Sequence, residues 1–219
     1  LYIRRRVGVC IFEIATIGVY TISMTRKAFP DFLYKPVDEV ARLLLGCEFE
    51  RYIDGAVVRV RIVETESYDQ DDEASHAYGG EKKRNATMFK EAGHLYVYFT
   101  YGMHYCCNVV TGERGYGSGV LIRAVEPVVG SKVLEKHRGV VGVSTTNGPA
   151  KLCQALGIDA SMNGHDLHKA PLKLLAGSLL RGEASGTSPR IGISKSQDKQ
   201  RRHYIVGNPY VTRYRPNTP

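Results

Sequence analysis

No two of the five cysteines stand at the C-x-x-C spacing that structural zinc uses, and their odd number argues against a closed disulfide framework. No other ligand cluster of zinc type is visible, so neither a metal nor a cofactor is expected. Cys106 and Cys107 adjoin inside an apolar run, which on a strand sends them to opposite faces as buried thiols. A reducing, intracellular compartment fits that usage. Repeats and low-complexity tracts are also missing, and 219 residues suffice to bury a core as one domain. A clean membrane span is missing as well. The apolar stretch from Val7 to Ser23 is short and carries Glu13, which would be costly near a bilayer centre. Arg4, Arg5 and Arg6 before it resemble a signal or anchor, residue 1 is not Met, and Met24 could be a start. The expectation is a leader or extension over residues 1–23, a functional domain over 24–219, and no membrane partner for that domain.

Acidic side chains are in deficit. Thirty Lys+Arg against 22 Asp+Glu give a net charge of +8, which favours a polyanionic partner such as nucleic acid or an acidic membrane. A merely basic soluble protein would show the same balance.

Pro36-Val37-Asp38-Glu39 opens a short amphipathic helix with apolar Val37, Val40, Leu43 and Leu44, ending at Gly46. Strand signals follow at residues 47–52, 57–65, 95–101, 103–111 and 120–125, with Asp54-Gly55 as a hairpin turn. Gly148-Pro149 starts a second helix that stops at Gly157. Residues 176–188 read as a loop, with closing strands at 190–193 and 203–206. The class is α+β: a single mixed domain with a largely antiparallel curved sheet, a protruding β-hairpin and short flanking helices.

Chemistry concentrates at the end of the second strand, where period-two alternation places Val58, Val60, Ile62, Glu64 and Glu66 on one face. Two carboxylates on an apolar face, roughly 6.5–7 Å apart by strand rise, need partners or a task. Pairing with Arg59, Arg61 or Arg123 is one reading. A reactive site beside Tyr68, Asp72, Glu73 and His76 is the other. In the 95–108 segment two strands meet near Tyr101-Gly102, leaving Tyr101 at a tip, either packed on its own hairpin or free to act as a wedge between bases. Tyr96 and Tyr98 face the other way, as core aromatics or as a stacking platform.

Five separated blocks, RIVETESY (61–68), EASHAYGG (73–80), 95–108, LIRAVEP (121–127) and NGPAKLCQAL (147–156), resemble the alkyladenine or 3-methyladenine DNA glycosylase family. The likeness runs from about Asp31 to Thr212. It implies a monomer acting on double-stranded DNA that contains damaged purines, inside the cell wherever DNA lies, by flipping alkylated, deaminated or etheno bases and leaving abasic sites. By the same resemblance Glu66 activates the water, Arg123 positions it or Glu66, Tyr101 fills the gap in the duplex, and Tyr68, His76 and Tyr98 wall the base pocket. Asn108 resembles the residue that crowds out the exocyclic amine of guanine. The acidic run from Asp69 to Glu73 between Tyr68 and His76 is one residue shorter than in some members.

Lys82, Lys83, Arg84, Lys151, Lys195, Lys199, Arg201 and Arg202 suit phosphate contacts, as do the free amides at the helix start by Gly148, although each alone could be a solvated surface residue. Two rival classes remain: a nucleic-acid-binding module of this fold without chemistry, and a small-molecule hydrolase using Glu64 and Glu66.

Overall fold

The computed structural model describes residues 28–100 and 102–213. The expected leader, the Met24 start and Tyr101 therefore lie outside the described residues. The elements in chain order are α1 (Val37–Leu43), β1 (Glu48–Ile53), β2 (Ala56–Asp69), β3 (Leu95–Thr100), β4 (His104–Val110), β5 (Ser118–Val129), α2 (Ser131–Arg138), α3 (Pro149–Ala155), β6 (Leu172–Leu175), β7 (Ser185–Ser188) and β8 (Arg202–Ile205). The strands form one curved, antiparallel, half-barrel-like sheet in the order β3-β4-β5-β2-β1-β6, with β8 on β2 and β7 on β8. The α+β single-domain architecture matches the sequence expectation.

Local chemistry accounts for several of these elements. Asp54 and Gly55 both hold left-handed φ values, 52° and 72°, as a two-residue hairpin turn requires, and this sets the β1–β2 register of Ile53 against Ala56. Asp38 and Glu39 occupy the first turn of α1 and Arg42 the last, in the order the helix dipole favours. At Gly46 a Cβ would meet the backbone carbonyl of Ser178, so only glycine fits there. Pro149 opens α3 as the sequence indicates.

Other elements depart from the expectation. Residues 190–193 form no strand; they run as a bend across the end of β2. The stretch read as a loop contains β7. Two elements were not anticipated: β6, whose four residues are too few for a periodic signal, and α2, which buries only Leu134 and so has almost no apolar stripe.

The main core lies on the face of the sheet that carries α1 and α3, where Val58, Val60, Ile62, Leu95, Val97, Val109, Val120 and Ile122 meet Val40, Leu44 and Leu152. Each such side chain, fully buried, contributes about 1.5–3 kcal/mol. Thr65 and Ser67 face the same way, since Thr65 Oγ1 donates to the Ala41 carbonyl at 2.8 Å and Ser67 Oγ donates to Asp38 at 2.7 Å. Ile62 and Thr65 thus share a face although three positions apart. The cause is an irregularity in the β2–β5 ladder, with register shifts between Ile62 and Glu64 and between Glu64 and Thr65. This corrects the strand-face expectation: Glu64 and Glu66 point to the face opposite Val58, Val60 and Ile62.

Candidate active site

That opposite face holds a cavity of about 640 Å³. Alternate residues of four neighbouring strands line it: Glu66 and Tyr68 from β2, Tyr96 and Tyr98 from β3, Cys106 and Asn108 from β4, Leu121 and Arg123 from β5. His76 enters from the β2–β3 connection, Pro149 from the start of α3, and residues 191–195 complete the lining.

Glu66 is 0% exposed and both of its oxygens are engaged. Oε1 accepts the Ile191 backbone N–H at 2.8 Å and lies 3.2 Å from Nη1 of Arg123, while Oε2 accepts the Tyr68 hydroxyl at 2.8 Å. Glu64 lives differently. Its Oε1 accepts from Nε of Arg123 at 3.0 Å and from Nε of Arg202 at 2.7 Å, and its Oε2 accepts the Thr212 N–H at 2.8 Å. Of the three arginines weighed as partners, Arg59 goes to Glu50 and Arg61 to Glu126 and Glu183, leaving Arg123 for the carboxylates. Burial works against the charged Arg123 guanidinium, but the charges of Glu66 and Glu64 outweigh it and raise its pKa above the ordinary value. Burial, then the negative charge of Glu66, pushes the Tyr68 hydroxyl well above the usual phenol range, so it remains a proton donor to Oε2.

The walls are aromatic. Tyr96 and Tyr98 stack with centroids 5.7 Å apart, and His76 meets Tyr98 edge-on at 4.5 Å. Nδ1 of His76 lies 3.0 Å from the Tyr96 hydroxyl. Burial first, then the charge of Arg84, lowers the His76 pKa and favours the neutral ring. Asn108 is a buried part of the lining, its amide donating to the Tyr96 carbonyl at 3.4 Å.

Of the sequence candidates, Glu66, Tyr68, His76, Tyr98, Asn108 and Arg123 all come together in this cavity. Tyr101 lies outside the described residues; on either side of it, Phe99 and Met103 are exposed, Met103 by 69%. Lys82, Lys83 and Arg84 are exposed on the connection that carries His76. Lys151 donates to Asn147 at 2.7 Å beside the partly exposed Gly148. Lys195 lies 3.7 Å from Glu73 and Lys199 3.8 Å from Asp72. Arg201 is partly buried against Asp69 and Asp72. Arg202 is 1% exposed and bound to Glu64, to Ser188 and to the Thr212 carbonyl, so it has no surface to offer a phosphate. Its β8 position pairs directly with Glu66, which turns the side chain inward.

Residues 31–209 match the family model described as methylpurine-DNA glycosylase. The chain belongs to the methylpurine-DNA glycosylase family. Curated relatives agree along nearly their whole length. A protein of Carboxydothermus hydrogenoformans is 46% identical over 186 residues, 83% of this chain and 96% of the relative. One of Chlorobaculum tepidum is 42% identical over 192 residues, 86% and 92% of the two chains, and one of Methanoculleus marisnigri is 44% identical over 178 residues, 80% and 92%. Each carries the name "Putative 3-methyladenine DNA glycosylase". As a member of this family the chain is a DNA-repair hydrolase of N-glycosyl bonds. Among its described residues no helix is long and apolar enough to cross a membrane.

Sequence reasoning missed two parts of the methylpurine-DNA glycosylase site. The Ile191 N–H is a backbone group, which no residue type announces. Arg190, buried, forms an ion pair behind Tyr68 with Asp72, a residue the sequence places beside the site without this partner. A charged residue between proline and an apolar residue gave no sign of an interior position.

Proposed function

We propose that this chain excises alkylated purines from duplex DNA by flipping the damaged nucleotide into the aromatic cavity and hydrolysing its N-glycosyl bond with a water activated by Glu66. The observation that carries this reading is a fully buried carboxylate lining an aromatic pocket, with Arg123 beside it. Glu66 removes a proton from water, the water oxygen bonds to C1′, and the C1′–N bond breaks with its electrons going to the base. A purine methylated at a ring nitrogen carries positive charge and departs as a neutral molecule, so the leaving base needs no proton. Glu66 also offsets the positive charge that develops on the sugar.

Tyr68, His76 and Tyr98 hold the flat purine by stacking, and Asn108 crowds the exocyclic amine of guanine. Tyr101, which follows β3 in the sequence, fills the space the nucleotide leaves, while Lys82, Lys83 and Arg84 hold the backbone. The Gly148 amide region, Lys151 and Arg201 are further phosphate contacts in this reading.

The test is mass-spectrometric identification of free bases released from methylated duplex DNA by the wild type and by Glu66→Gln. The wild type is expected to release methylated purines; the variant is expected to bind the same DNA and release almost none. Release from the variant at the wild-type rate removes Glu66 as the base.

A further inference from the structure

Of the ion pairs that join the acidic run after β2 to residues 190–201, one is wholly buried on both sides. Nη1 of Arg190 bonds to Oδ2 of Asp72, and both side chains are wholly buried. The same Nη1 donates to the Ser67 carbonyl at 3.0 Å, and Nη2 lies 3.5 Å from the Ser196 carbonyl. Asp72 is itself fixed, accepting the Ala74 N–H at 3.2 Å on Oδ1. Burial alone would raise its carboxyl, but the hydrogen bonds from Arg190 and Ala74 and the Arg190 charge bring it below the usual range, so it stays ionised.

Arg190 adjoins the two groups that hydrogen-bond Glu66, beside the ion pair that Arg123 makes with Oε1. It precedes Ile191, whose N–H binds Oε1, and its guanidinium carbon lies 4.5 Å from the centre of the Tyr68 ring, whose hydroxyl binds Oε2. We infer that Arg190, anchored by Asp72, is a positioning residue that sets the orientation of Glu66 by holding the two donors to its two oxygens. The inference rests on the reading of Glu66 as the base. A carboxylate held on both oxygens presents a fixed lone pair to the attacking water, whereas a freed one rotates about its last bond.

The experiment compares Arg190→Met, Arg190→Lys and Asp72→Asn in the full chain, measuring single-turnover excision from methylated duplex DNA, affinity for the same DNA, and melting temperature. Misplacing a reacting group by about 1 Å can cost on the order of 100-fold in rate. Arg190→Met is expected to lose roughly 10- to 100-fold in excision rate, with affinity held within a few-fold. Arg190→Lys, which keeps the charge beside Asp72, is expected to recover part of the loss. The deciding measurement is Arg190→Met placed on Glu66→Gln, where the residual rate should fall no further because the group being positioned is gone.

A loss that persists undiminished on the Glu66→Gln background, or one confined to affinity, overturns the inference. Should Arg190→Met fail to fold, Arg190→Lys and Asp72→Asn carry the same comparison, and excision by both at the wild-type rate overturns it. Should Glu66→Gln itself stay active, the reading of the base has failed, separately from any result on Arg190.

Discussion

Arg123 lies between two glutamates, donating Nε to Glu64 at 3.0 Å and holding Nη1 3.2 Å from Glu66 as an ion pair. The two carboxylates are two residues apart on one strand, yet their surroundings assign them opposite tasks. Glu64 is saturated by two guanidiniums and a backbone amide, whereas Glu66 borders the cavity.

Glu64→Gln is therefore expected to act on the fold. Removing one partner of a buried ion pair costs about 3–5 kcal/mol, because the remaining charge is left uncompensated. A melting temperature lowered by roughly 6–20 °C is the expected reading, and a melt unchanged from wild type would refute it. Glu66→Gln, by contrast, is expected to melt within a few degrees of wild type while excision falls by on the order of 1,000-fold.

Tyr101 is tested on paired against pre-distorted DNA. Base flipping costs a few kcal/mol, which corresponds to roughly 10- to 1,000-fold in rate if the wedge is lost. Tyr101→Ala should slow excision from a fully paired duplex and slow it less where the lesion sits in a bulge, with little change in melting. Equal losses on both substrates, together with a large melting shift, would show the tyrosine to be packing.

His76 gives a pH dependence with a definite sign. Its folded pKa lies below the ordinary histidine value of 6.5, first because of burial and then because of Arg84. The unfolded chain therefore takes up its proton first, so the stability associated with the neutral ring is present above about pH 6.5 and is lost as pH falls toward the folded pKa. Melting curves of the wild type and of His76→Gln between about pH 8 and about pH 5 should converge as pH falls, if the ring is neutral as its lowered pKa requires. Parallel curves would contradict the assignment.

Asn108→Ser concerns selectivity. The Asn108 amide makes a single long bond to Tyr96 and lines the cavity, so shortening it opens room where guanine would carry its amine. Release of guanine from undamaged DNA is expected to rise, read by chromatography of free bases, with melting lowered by less than about 5 °C. Unchanged guanine release would leave the discrimination to another wall.

Much of this site was legible in the sequence because the side chains that form it are unusual for their positions. An acidic residue ending an apolar strand, tyrosines at alternate places and a basic run each point to a cost that something must offset. The strand irregularity was not legible. Nothing in Ile62-Val63-Glu64-Thr65 distinguishes a register shift from continued alternation, so the face of the carboxylates was misjudged. Lys, Arg and Asp are read as surface by default, and that default hid Arg202 and the Arg190–Asp72 pair. Only tertiary pairing between segments more than a hundred residues apart brings such charges inside.

That distance also governs when the enzyme can exist during its own synthesis. Glu64 waits for Arg202 and Thr212, 138 and 148 positions later, and Glu66 for Ile191, 125 positions later. A nascent chain still short of those residues has two carboxylates turned toward an interior where, of these partners, only Tyr68 and Arg123 have been made. A fragment released before those residues are made lacks the contacts that hold both carboxylates.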